Sequence, residues 1–253
     1  MSEKVKTDTA QEDNPFVLSI GDLMAALLLI FILLLSATLL MLQESFDKAT
    51  IEQKIAKTIV QTYLNLKEDI YKALEIEFRE DLDKWKAEII KETLIIRFKE
   101  PSIYFDPGKA MLKDNFKYIL KIFFPRYVKV LYNEKFKNNI EEIRIEGHTS
   151  SEWDSDTGGK DPYFLNMELS QNRTRSVLEF GLGLINDAEM KKWAKEKITA
   201  NGLSSSKLII GIDSREDKEA SRRVEFRVRT DAEKRIEDIQ KKIEQKTDIK
   251  TGK

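Results

Sequence analysis

FVLSIGDLMAALLLIFILLLSATLLML, residues 16–42, is the most apolar stretch of the chain, and 23–35 hold no polar residue at all. A helix of that length covers about 40 Å, enough to cross a hydrocarbon core ~30 Å thick with some tilt. A cleaved signal peptide has a basic leader and a shorter apolar run. Here the first fifteen residues carry Glu3, Asp8, Glu12 and Asp13 against Lys4 and Lys6. The stretch is therefore expected to be an uncleaved, single-pass transmembrane helix. The flanking lysines (Lys4 and Lys6 before it; Lys48, Lys54 and Lys57 after it) do not decide its orientation.

Asp22 interrupts the run about six residues in. A carboxylate in lipid costs on the order of 2.5–3.5 kcal/mol at the bilayer centre and less near an interface. Two readings follow. Either Asp22 marks the start of the helix at headgroup depth, or it is a protonatable, ion-handling group facing a partner helix. Gly21 and Ala25, with Ala26 one turn from Asp22, favour the second, because small residues let helices approach closely.

Working outward, residues 45–88 contain neither proline nor glycine. Ile51, Ile55, Ile59, Tyr63, Leu66, Ile70, Leu74, Phe78, Leu82 and Trp85 recur at a mean spacing of about 3.8 residues, one face of a helix. This predicts a helical spacer over 43–90 whose stripe pairs with a second copy or folds back on its own domain; self-pairing is the expectation, since a long bare stripe aggregates. The chain thus divides into a tail over 1–15, the span over 16–42, the spacer, a domain over 91–230 and a charged tail over 231–253. In that last tail Ile236, Ile239 and Ile243 fall at helical spacing.

Totals exclude several classes. Lys and Arg number 43 against 44 Asp and Glu, so no basic excess draws a nucleic-acid backbone. Cysteine is absent, which removes disulfides and thiolate metal sites. One histidine, His148, is too little for a His-rich metal site, and no nucleophile–base pair is legible. No enzyme, cofactor or metal is expected.

Within 91–230, residues 93–98 read as a strand, 106–108 as a turn and 110–133 as a helix. Residues 143–146 read as a strand, 168–180 and 188–198 as helices, and 208–210 and 224–228 as strands. Strands alternating with helices predict an α+β sandwich with the helices on one face.

Four motifs in this segment resemble the OmpA C-terminal family. They are Tyr104-Phe105-Asp106-Pro107-Gly108, Ile145-Glu146-Gly147-His148-Thr149, Asn166-x-x-Leu169-Ser170-x-x-Arg173, and Ser221-Arg222-Arg223-Val224-Glu225. The resemblance implies an OmpA-like domain that binds peptidoglycan non-covalently through the diaminopimelate of its stem peptide. That group carries a carboxylate and an ammonium, so it calls for an arginine fork and acceptors. Arg173 is the implied fork, Asn166 and the backbone at Thr149 fix orientation, and Leu169 packs beneath. Arg222 and Arg223 assist, or one of them buttresses the fold. The family's usual Asp after Gly-His-Thr is replaced by Ser150; either Glu152, Asp154, Asp156 or Asp161 in the acidic loop stands in for it, or that loop is a solvated, variable insertion. His148 is expected to be structural.

The whole layout is similar to MotB, and the acidic insertion and long spacer resemble the ZorB branch found in Zorya anti-phage systems. This implies a homodimer in the bacterial inner membrane, with a cytoplasmic N-terminus and a periplasmic C-terminal domain. It further implies a ring-forming multi-helix partner of the MotA/ZorA kind, ions (protons or sodium) passing Asp22, and a stator held by the wall. A passive tether with the same anchor and no ion conduction, a flagellar-type stator subunit, and a sensor signalling through the helix remain the competing readings.

Overall fold

The computed structural model describes residues 15–99, 104–153 and 157–231, with side chains described from 20 onward. The N-terminal tail, Asp154, Asp156 and the expected helix carrying Ile236, Ile239 and Ile243 lie outside the described residues. The chain divides into two compact units, 1–57 and 58–253.

Over its described residues the first unit is helix. Helix α1 runs Pro15–Phe78, with proline at the first position, where its missing N–H costs nothing. Every side chain from 20 to 55 is exposed. The apolar part of this helix is long and apolar enough to cross a membrane. Asp22 stands seven residues after the helix start, so it does not mark where the helix begins.

In the second unit the sheet is β1(Ala87–Ile90), β2(Ile95–Phe98), β3(Ile140–His148), β4(Ile198–Gly202) and β5(Arg223–Thr230), in the spatial order β1-β2-β5-β3-β4. All neighbours are antiparallel except β3 and β4. Helices α2(Asp114–Leu131), α3(Pro162–Gly183) and α4(Ala188–Lys197) cover one face, and α5(Lys218–Ser221) is a single turn before β5. The alternation of β5 explains the layering: Val224, Phe226 and Val228 enter the core, while Arg223, Glu225, Arg227 and Arg229 take the other face. At the centre, Phe226 meets Phe123 of α2 at 4.9 Å between ring centroids, and Phe98 meets Phe123 at 5.1 Å, both edge-on.

The structure corrects the sequence reading in three ways, two of them in the spacer. First, α1 ends at Phe78, and Ala87–Ile90, expected as helix, is the edge strand β1. The turn over 79–86 brings Trp85 back against Phe78, ring centroids 5.9 Å apart, so one continuous stripe would have left the indole unburied. Second, Ile70, Leu74 and Phe78 are fully buried in the domain core. This part of the stripe folds back on its own domain, against the expected self-pairing. Arg126 of α2 secures it, donating from Nε to Glu77 Oε1 at 2.6 Å and from Nη1 to Asp81 Oδ2 at 2.7 Å, with its guanidinium over the Phe78 ring. Third, the strand expected at 208–210 is a loop with one bridge, Ile210 to Glu216; the strand parallel to β3 lies earlier, at Ile198–Gly202.

Candidate functional site

Two glycines set the site. Gly147 near the end of β3 pairs with Gly202 at the end of β4. A Cβ on Gly147 would sit 2.9 Å from the Ser170 carbonyl, and one on Gly202 would sit 2.3 Å from the Gln171 nitrogen. Helix α3 therefore lies directly on the strand ends, where any side chain would force it off. The Asp161 carboxylate caps α3 by accepting from the Tyr163 N–H at 2.9 Å.

That close approach aims the Asn166–Arg173 face of α3 at two loops. Asn166 is buried, and its amide donates to the carbonyls of Ser150 (3.3 Å) and Glu152 (3.0 Å), pinning the loop after β3. Thr149 N–H donates to Ser204 O at 3.0 Å, while the buried Thr149 Oγ1 has no partner among the described residues. Two turns along, Arg173 donates from Nε to Lys109 O (2.9 Å) and from Nη2 to Asp106 O (3.2 Å). Its guanidinium lies 4.9 Å from the Phe105 ring centroid. The turn it holds contains Gly108 at φ +64°, a left-handed position that suits glycine. Among the described residues Nη1 has no hydrogen bond. Burial pushes the Arg173 guanidinium down to about 10, with the neighbouring charge of Arg222 adding to the effect; it remains charged at neutral pH.

Thr149, Asn166, Arg173 and Arg222 thus gather at one end of the sheet, with Leu169 half-buried on α3 between Asn166 and Arg173. Arg223 does not join them. It is buried on the helix-free face, donating to Glu225 Oε1 at 2.7 Å and to the carbonyls of Lys207 and Ser221, which makes it the buttress of the pair. Sequence reasoning missed the residues that hold the loops. Ser204 is one of them, accepting from Thr149 and donating from Oγ to Tyr163 O at 2.7 Å. Glu216 is another, accepting from Ser151 N–H at 3.0 Å and from the Ser151 hydroxyl. The Lys218 ammonium, in turn, pairs with Glu152. These contacts link positions more than 40 residues apart, and no local pattern signals them.

On the helix-free face Glu146 stands directly across from Glu225, an arrangement of like charges that repels unless compensated. Arg97 and Arg223 both donate to Glu225 Oε1 at 2.7 Å, and Arg227 reaches Glu146 at 3.2 Å. His148 Nε2 lies 3.5 Å from Glu225 and 3.9 Å from Glu146. Burial raises the Glu225 carboxyl, but His148 and Arg223 beside it outweigh that and hold it far below the usual range. Burial and the Arg223 charge lower His148, against the pull of both carboxylates. Glu146, His148 and Glu225 are close enough to share a metal ion. Three guanidiniums already contact these two carboxylates, however, so the electrostatics oppose a divalent cation there.

No family model matches the sequence. The Zorya protein ZorB of Escherichia coli is 43% identical over 228 residues, which make up 90% of this chain and 93% of that protein. Among solved structures, a MotB-like protein from Desulfovibrio vulgaris aligns with a TM-score of 0.47 at 18% identity, over 69% of this chain and 94% of that one. The cell wall anchor of the T6SS from Pseudomonas aeruginosa aligns at 0.43 and 18%, over 62% and 96%. The periplasmic domain of Helicobacter pylori MotB aligns at 0.41 and 18%, over 65% and 90%. On the extent of its identity to the Escherichia coli protein, the chain belongs to the ZorB family.

Proposed function

We propose that the chain is the peptidoglycan-anchored subunit of an ion-driven inner-membrane motor, a stator of the MotB kind working in a Zorya anti-phage complex. In this reading α1 spans the membrane once with its N-terminus in the cytoplasm, and the C-terminal domain lies in the periplasm. Two copies stand inside a ring of a multi-helix partner. Protons or sodium ions pass Asp22 and drive relative rotation, while the domain grips the diaminopimelate stem through Arg173, Arg222, Asn166, Leu169 and Thr149.

One observation carries the motor rather than the tether. Asp22 is the only charged residue over 20–42, and it sits inside the helix instead of at its start. Gly21, Ala25 and Ala26 accompany it on an exposed surface, and nothing lies within 4 Å of where a Gly21 Cβ would be. A lone carboxylate in an apolar helix is costly unless it serves a function, and a flank of small residues suits close packing against another helix.

The test is anti-phage protection by Asp22→Asn beside wild type, each co-expressed with the membrane partner, with complex formation checked by co-purification. Lost protection from an intact complex supports ion conduction. Full protection leaves a passive tether. For the other end, the full chain in detergent should co-sediment with sacculi and Arg173→Ala should not; a wild-type chain that stays in the supernatant sinks the wall-binding assignment.

A further inference from the structure

We propose that the C-terminal tail, 231–253, is a helical clasp that lies antiparallel along α1 over 58–66, prolonging the cover that the domain core gives to the apolar stripe. The proposal goes beyond the motor and wall-binding reading and does not depend on it. Thr58-Ile59-Val60-Gln61-Thr62-Tyr63-Leu64-Asn65-Leu66 is nine residues without a charge, in a chain of which 34% is charged. The stretch lies well outside the membrane-length run over 16–42. Ile59, Tyr63 and Leu66 continue the helix face that carries Ile70 and Leu74. Among the described residues the core buries Ile70 and Leu74 fully and reaches out as far as Leu66. Beyond that, Val60 is 41% exposed and Leu64 49%. A neutral, apolar flank of this length marks a surface that something else covers.

The end of β5 decides what that cover is. Thr230, its last residue, pairs with Ile140, and the Val228 N–H donates to Leu94 O at 3.1 Å. The segments that lead into Ile140 and Leu94 are the ones that grip α1. Lys135 pairs with Asp69 at 2.9 Å and Lys91 with Glu68 at 2.8 Å, while the Lys67 ammonium donates to the Glu92 carbonyl. β5 therefore delivers the tail to the side of the domain where α1 passes residues 67–69, one step from the neutral stretch. Asp231, the residue after β5, is already helical.

The tail's sequence matches the stripe in step. Ile236, Ile239 and Ile243 are spaced by three and then four, counting onward from β5. Leu66, Tyr63 and Ile59 are also spaced by three and then four, counting outward from the core. Each set spans about 10.5 Å of helix. Two antiparallel helices thus set Ile236 against Leu66, Ile239 against Tyr63 and Ile243 against Ile59. Glu237 with Lys241 and Asp238 with Lys242 are acid-before-base pairs four apart, which favour helix and keep charge off the isoleucine face. A second copy of the chain would compete for the same stripe. The tail, however, is tethered within a few residues of it, at a local concentration on the order of millimolar. Clasped in this way, α1 enters the domain as a two-helix stem.

The chain has no cysteine, so paired cysteines report proximity directly. In the full chain in detergent, Ile59→Cys with Ile243→Cys, and Leu66→Cys with Ile236→Cys, should each close a disulfide within one chain under mild oxidation. The crossed pair, Leu66→Cys with Ile243→Cys, stands about 10 Å out of step and should stay open. Hydrogen exchange gives a second reading without cysteines. Ile236→Ser, Ile239→Ser and Ile243→Ser together should speed amide exchange over 58–66 by at least about tenfold and leave 70–78 unchanged, since the changes fall beyond β5 and outside the core. Matched pairs that stay open, a crossed pair that closes equally well, or exchange over 58–66 that does not change overturns the proposal. A disulfide-linked dimer in place of the intrachain bond also overturns it and gives the stripe to a second copy.

Discussion

Two stretches of the same helix meet opposite fates. Over 20–55 every side chain of α1 is exposed, including Leu33, Leu34 and Phe31. Over 66–78 the helix buries Ile70, Leu74 and Phe78 completely. The apolar period runs through both, so period alone does not say what covers a helix. Circumference and neighbours do. The first stretch begins apolar all round, which suits lipid, and its later part adds charged residues around the helix. The second carries one apolar stripe flanked by Glu77 and Asp81, and α2 answers it with Phe123 for the stripe and Arg126 for the flank.

The largest test of this contrast is Phe78→Ala. It removes a ring that packs on Trp85 and Phe123, and it should lower unfolding free energy by about 3–5 kcal/mol. Thermal melts of the full chain in detergent read it, and a loss under ~1 kcal/mol would mean the second stretch is no more docked than the first. Arg126→Ala should cost less, about 1–2 kcal/mol. Its two ion pairs are a third exposed and so are discounted, while the guanidinium also covers Phe78.

Acid should sharpen the contrast further by melting the sheet and sparing the helix over 20–55. His148 is depressed when folded, so the unfolded chain takes up its proton first and stability falls as pH drops below about 6.5. Glu225 is depressed too; its contribution is complete above about pH 4.3 and is lost as pH falls below that. Both signs agree, and a melting temperature that rises on acidification would contradict them. The smallest effect is expected from Ile55→Ser, within about 0.5 kcal/mol, because Ile55 is exposed within its unit.

How much was legible follows the same logic. The membrane-length run needs no partner to be recognised, because uniform apolarity is a local property. The Asn166-to-Arg173 spacing is equally local and marks one helical face. Strand β4 has little local signal because Ile-Thr-Ala-Asn-Gly is short, with one large apolar residue: as an edge strand it buries only Ile198 fully. The apolar 208–210 reads as a strand in the sequence, yet Ile210 is exposed in a loop. Arg173 was read as a ligand fork alone, although two of its nitrogens brace the turn at 106–109. The ion pair of Lys218 with Glu152 joins residues 66 apart and was beyond any local pattern.

The position of β5 has a consequence for how the molecule is made. It is the middle strand of the sheet and the last of the five in the chain, so β1-β2 and β3-β4 meet only through it. Until residues 223–230 have left the ribosome and reached their compartment, both half-sheets present open hydrogen-bonding edges and the core lacks Val224, Phe226 and Val228. The domain therefore assembles after synthesis, as a single event. A chain stopped before residue 223 would be no slightly shortened domain but two unjoined halves, ready for proteolysis.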